Sequence, residues 1–154
     1  MIDRRVLLVL PLLAALPAHA EPADALAQAV ATCWAARGVR FTPDQIAARI
    51  NGRIGKAALL ALAGATTNAD GDDEETAVEI AWEAGAPPSP AEPLLYRDLA
   101  AGRPAVALDV AGQWWLLTGH DQGLFAARHP ISGESRVLAR ASLQLIGRPV
   151  IAGA

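Results

Sequence analysis

The chain has 154 residues, 53% of them hydrophobic, and a formal net charge of −3. That balance, with no visible basic stripe, argues against an electrostatic nucleic-acid surface. The length suffices for one domain with a real core, and the single cysteine, Cys33, excludes an internal disulfide.

The chain opens on a segment that does not belong to the fold. Residues 1–5 are short and basic, residues 6–17 (VLLVLPLLAALP) form an apolar run, and Ala18-His19-Ala20 has the small-x-small form that precedes signal-peptidase cleavage. The run is too short to span a bilayer comfortably and fits a secretory h-region. A signal peptide over 1–20, cleaved after Ala20, predicts a periplasmic or secreted protein with one domain over 21–154 and no membrane span after cleavage. Loss of Asp3, Arg4 and Arg5 leaves 11 basic and 15 acidic side chains, net −4, and only two histidines, His120 and His129. In an exported chain the lone thiol is free, joined to another chain or buried.

Residues 23–37 read as a helix. Leu26, Ala29, Val30, Cys33 and Trp34 fall on one apolar stripe, Asp24 lies near its start, Arg37 in its last turn, and Gly38 follows as a stop. Thr42-Pro43-Asp44-Gln45 is a helix start with the residues of a capping box, followed by Ile46, Ala47 and Ile50 and a stop at Asn51-Gly52. Residues 56–63 suggest another short helix.

Residues 66–73 (TTNADGDD) read as a polar loop. As a calcium loop it fails, because with Gly71 at the sixth position the twelfth is Ala77 rather than a bidentate glutamate. The acidic residues around Asp73 instead suggest the start of a helix over about 73–84, burying Val78, Ile80 and Trp82 and ended by Gly85. The proline-rich stretch 86–93 reads as a surface connection, followed by a short helix over 94–101.

A first strand is expected at 105–110 (AVALDV). Residues 113–134 (QWWLLTGHDQGLFAARHPISGE) read as two strands, 113–119 and 124–128, with a turn at 120–123 and a second turn after His129-Pro130. A fourth strand is expected at 135–139, a short helix at 141–146 and an extended piece at 149–152. The pattern is α+β: N-terminal helices packed on one side of a small antiparallel sheet.

Several of these pieces resemble papain-like cysteine peptidases of the bacteriocin-leader-processing type. Residues 38–50 (GVRFTPDQIAARI) look like the family's link and second helix. Residues 94–110 (LLYRDLAAGRPAVALDV) look like its helix, Gly-x-Pro turn and first sheet strand, and residues 113–134 look like its paired strands. The likeness covers most of residues 23–146 and implies a papain-like fold. It also implies a cysteine at the start of the first helix, where the helix dipole lowers its pKa, a histidine opening one strand, and an Asp or Asn just before the proline after the next. The matching positions here hold Ala25, Gln113 and His129.

A competing register takes Cys33-Trp34-Ala35 as the start of the nucleophile helix, with Gln28 as an oxyanion group. Only four residues then separate Cys33 from Gly38, and the apolar stripe runs unbroken through Cys33, which favours a buried core thiol. In this register His129 is the candidate base, and a turn histidine packed beside Pro130 is the plainer reading. His120, Asp121 and His129 have no metal-binding spacing, so no metal and no cofactor are expected. Ser132 and Ser135 lack a nucleophile elbow.

Trp114 and Trp115 are adjacent in a strand and face opposite sides. One is expected in the core and the other exposed, as the best binding contact, with Gln113 and His129 as polar contacts beside it. The leading expectation is an exported, non-catalytic papain-like domain that binds a peptide or protein segment. The alternative is a thiol peptidase, a hydrolase using Cys33 and His129. A weaker third reading is an assembly factor with no groove function.

Overall fold

The computed structural model describes residues 22–153; the expected signal peptide lies outside the described residues. The chain folds as α1 (Pro22–Ala35), α2 (Pro43–Ile50), α3 (Gly55–Leu60), β1 (Gly64–Thr67), β2 (Asp73–Glu83) and α4 (Glu92–Ala100). Then follow β3 (Ala105–Asp109), β4 (Trp114–Asp121), β5 (Leu124–Arg128), β6 (Ser135–Ala139), a 3-10 turn and β7 (Leu143–Ile151). The seven strands form one antiparallel sheet in the order β1-β2-β7-β3-β4-β5-β6. The class is α+β, as the sequence pattern indicates.

The apolar stripe of α1 is buried along its length, from Leu26 through Val30, Cys33 and Trp34. The helix stops where Gly38 takes φ +90° and Val39 N–H donates back to the Trp34 carbonyl, a Schellman ending that requires the left-handed residue. Helix α2 starts with the expected capping box: Gln45 N–H donates to Thr42 Oγ1 at 3.1 Å, and Thr42 N–H donates to Gln45 Oε1 at 3.2 Å. Arg49 on α2 donates to the carbonyls of Ala61 and Ala63, fastening α2 to the chain that leads into β1.

Helices do not all lie on one side of the sheet, contrary to expectation. Helices α1, α2 and α3 share one core with Val106, Leu108, Trp114 and Leu116. The opposite face packs Leu95 and Leu99 of α4 against Ala107, Trp115, Leu117 and Phe125. The central strand β3 is therefore buried on both faces, and its first four residues, AVAL, are correspondingly apolar, with the half-buried Asp109 at its end.

Two further expectations are overturned. Residues 73–83 form a strand, not a helix, and residues 143–146 belong to β7 rather than to a short helix. Both strands carry or face a bulge. Ile80 and Trp82 pair with the consecutive residues Gly147 and Ile146, leaving Ala81 as the extra residue. Leu108 and Asp109 pair with Leu145 and Leu143, leaving Gln144 extra. A bulge breaks the period-two alternation, so Ala81 and Trp82 both meet the α4-side core, and Leu143 and Leu145 fall on opposite faces. The expected polar loop is a hairpin: β1 leads into a turn in which Asn68 Oδ1 accepts from the N–H groups of Asp70 and Asp72, at 2.9 and 3.0 Å.

Gly147 in β7 lies beneath α3, where a Cβ would overlap the buried Leu59 side chain. Among the described residues no helix is long and apolar enough to cross a membrane.

Candidate functional site

A groove of about 370 Å³ opens where the first turns of α1 meet the turn between β3 and β4. Ala23 and Leu26 of α1, Ala58 of α3, Leu108 of β3 and Trp114 of β4 supply apolar walls, and Ile54 stands at the rim, 78% exposed. Arg53 and Gln144 supply the polar atoms. An apolar hollow with a few polar groups at its edge is the usual form of a site for a side chain or small ligand.

The far wall is held by Asp109. Its Oδ1 accepts from Ala111 N–H and Gln113 N–H, at 2.9 and 2.8 Å, and its Oδ2 accepts from Trp115 Nε1 at 2.9 Å. Gln144 Nε2 donates to the Asp109 carbonyl at 2.8 Å. Gly112 takes φ +87° in this turn, a conformation that favours glycine. The turn is thus tied to the sheet before any ligand arrives, which lowers the ordering cost of binding.

Both tryptophans are buried, at 3% for Trp114 and 1% for Trp115, which corrects the expectation that one is exposed. They do face opposite sides. Trp115 belongs to the α4-side core because that face, too, is covered by a helix. Trp114 belongs to the α1-side core and reaches the groove only as part of its wall. Gln113 is exposed at the start of β4, beside the groove.

His129 is half-buried in the turn after β5. Its Nδ1 accepts from the N–H groups of Ile131 and Ser132, each at 3.2 Å, and its ring meets Trp115 edge-on with centroids 5.6 Å apart. An Nδ1 that accepts from two backbone donors serves the turn. Cys33 is sealed in the α1-side core, 1% exposed, and burial pushes its thiol far above the ordinary range, with only a small opposing effect from Arg37. A neutral, enclosed thiol is a poor nucleophile. His120 is exposed in β4 and its ring packs at a tilt against Tyr96 and Phe125, with centroids 4.5 and 4.8 Å away.

The positions that the resemblance assigns to thiol and imidazole, Ala25 and Gln113, do not themselves line the groove, and Ala25 is buried, but both are flanked in sequence by residues that do. Their neighbours Ala23 and Leu26 line one wall, and Gly112 and Trp114 the other. A second hollow, on the other side of the α1 start, is lined by Asp24, Gln28, Asp44, Pro130 and Ile131, so the turn following His129 also borders this end of the helix.

Sequence reasoning missed a cluster around Asp98, which is 3% exposed on α4. Its carboxylate accepts from Arg37 of the turn after α1, Arg103 of the α4–β3 turn and Arg148 of β7; Arg148 also pairs with Glu79 of β2. Burial alone would raise the Asp98 carboxyl, but Arg148, Arg37 and Arg103 together hold it below the usual carboxylate range. Nothing local in the sequence marks this cluster, since Arg37 and Arg148 stand 61 and 50 residues from Asp98.

Comparison with family models, with curated proteins and with solved structures finds no match for this chain.

Proposed function

We propose that this is an exported, non-catalytic domain of papain-like, leader-peptidase-like design that holds a peptide or protein segment across the N-terminal end of α1. An apolar side chain of the bound segment enters the groove between Leu26, Leu108 and Trp114. The observation that carries the reading is the groove itself: apolar, open, and rimmed by an exposed Ile54 at the end of the molecule where the resemblance puts chemistry. Ala25 and Gln113 beside it carry neither a thiol nor an imidazole, so the segment is held rather than cut. The buried thiol of Cys33 supports the same reading, because the thiol-peptidase alternative needs a thiolate in reach of a substrate.

Selection from a library of displayed short peptides tests this. The wild-type domain is expected to enrich sequences with a recurring apolar residue, and Ile54→Asp, a change at an exposed site, is expected to abolish the enrichment while leaving the circular dichroism spectrum intact. Absence of enrichment, or equal enrichment by the variant, overturns the proposal.

A further inference from the structure

We infer that the arginine cluster above Asp98 is a second binding site, built for the oxyanion of a carboxylate or phosphate group and independent of the groove at the start of α1. Arg37, Arg103 and Arg148 bring three positive charges to one place, and Asp98 and Glu79 return two negative ones. The local sum is +1 in a chain whose net charge is −3. A net positive cluster on an acidic protein is where an anion is drawn.

Donor capacity points the same way. Each guanidinium offers five N–H groups. Arg37 spends Nε on the Pro149 carbonyl and Nη2 on Asp98. Arg103 spends Nε and Nη2 on Asp98, and Arg148 spends Nε on Asp98 and Nη1 on Glu79. One terminal nitrogen on each arginine, Nη1 of Arg37, Nη1 of Arg103 and Nη2 of Arg148, has no protein acceptor among the described residues. Asp98 already accepts two of these bonds on each carboxylate oxygen, which fills its acceptor capacity, and it acts as the floor that fixes the three side chains.

Space is the third observation. The three arginines and Glu79 line one open hollow of about 630 Å³, walled by Ala77 and Val150 of neighbouring strands. That volume admits an anionic group together with the small molecule or chain end that carries it. Guanidiniums already ordered by Asp98 and Glu79 lose little further freedom when they bind, and arginine's planar fork suits both carboxylate and phosphate oxygens.

Isothermal titration calorimetry at constant ionic strength tests the site with two probes, inorganic phosphate and citrate. Saturable heat from phosphate alone assigns a phosphate group, from citrate alone a carboxylate, and from both a general oxyanion site. In each case Arg103→Ala should weaken binding at least tenfold, because Arg103 is the most exposed of the three and Asp98 keeps its other two partners without it. Arg103→Lys retains the charge but not the fork and should fall between the two. Arg136→Ala, on the β6 edge, should bind like the wild type. No saturable heat from either probe, or equal affinity in Arg103→Ala and the wild type, overturns the inference.

Discussion

Asp98 ties α4 to the turn after α1, to the α4–β3 turn and to β7 through three arginines, and it does so with a charge that burial opposes. Removing one partner of a buried ion pair leaves the others uncompensated and costs about 3–5 kcal/mol. Asp98→Asn should therefore lose about 3 kcal/mol or more in urea unfolding at pH 7. The pH dependence follows from the depressed carboxyl. The unfolded Asp98 takes up its proton near pH ~4, the folded one only at lower pH. Its contribution is complete above the unfolded value and is lost as pH falls through the folded one. Acid unfolding below about pH 4 should be shallower in Asp98→Asn than in the wild type, and equal slopes would contradict the account. Cys33 makes the complementary prediction. Enclosed and neutral, it should react with iodoacetamide roughly a hundredfold more slowly than a free thiol until the protein unfolds. Rapid labelling of the native protein, with proteolysis that disappears in Cys33→Ser, would restore the peptidase reading.

Local signals carried most elements. The stripe of α1, the Thr42–Gln45 capping box of α2, the double tryptophan of β4 and the turn after His129 could be read directly, because each is set by neighbours a few residues away. The capping box is also separately measurable: Thr42→Ala should destabilise the domain by about 1 kcal/mol in urea unfolding, and a change near zero would mean that the cap is idle. Two strands were hidden by bulges. Ala81 and Gln144 each add a residue that breaks the alternation, and the acidic run Asp73-Glu74-Glu75 imitates a helix start while it actually opens β2. The tryptophans show the limit at the candidate site. Their opposed directions follow from strand geometry, but the burial of both follows from α4 covering the second face, which no local pattern announces.

At the scale of the molecule, a sheet packed on both faces leaves its functional openings at the ends of elements. The groove lies at the start of α1, and the arginine hollow lies where the end of α1, the start of β3 and the end of β7 converge. The proposed export has its own test. If cleavage follows Ala20 as proposed, Glu21 becomes the first residue, so the intact mass of protein recovered from a secreting host should match residues 21–154, and a full-length mass would contradict the proposed processing.

The central claim, a peptide seat between α1 and the β3–β4 turn, is tested most directly by methyl NMR of the labelled domain titrated with a peptide from the selection. Saturable shifts should concentrate on Ile54, Leu26 and Leu108, while Leu138 on the opposite face stays unmoved. Shifts that gather elsewhere, or none at saturating peptide, would contradict it.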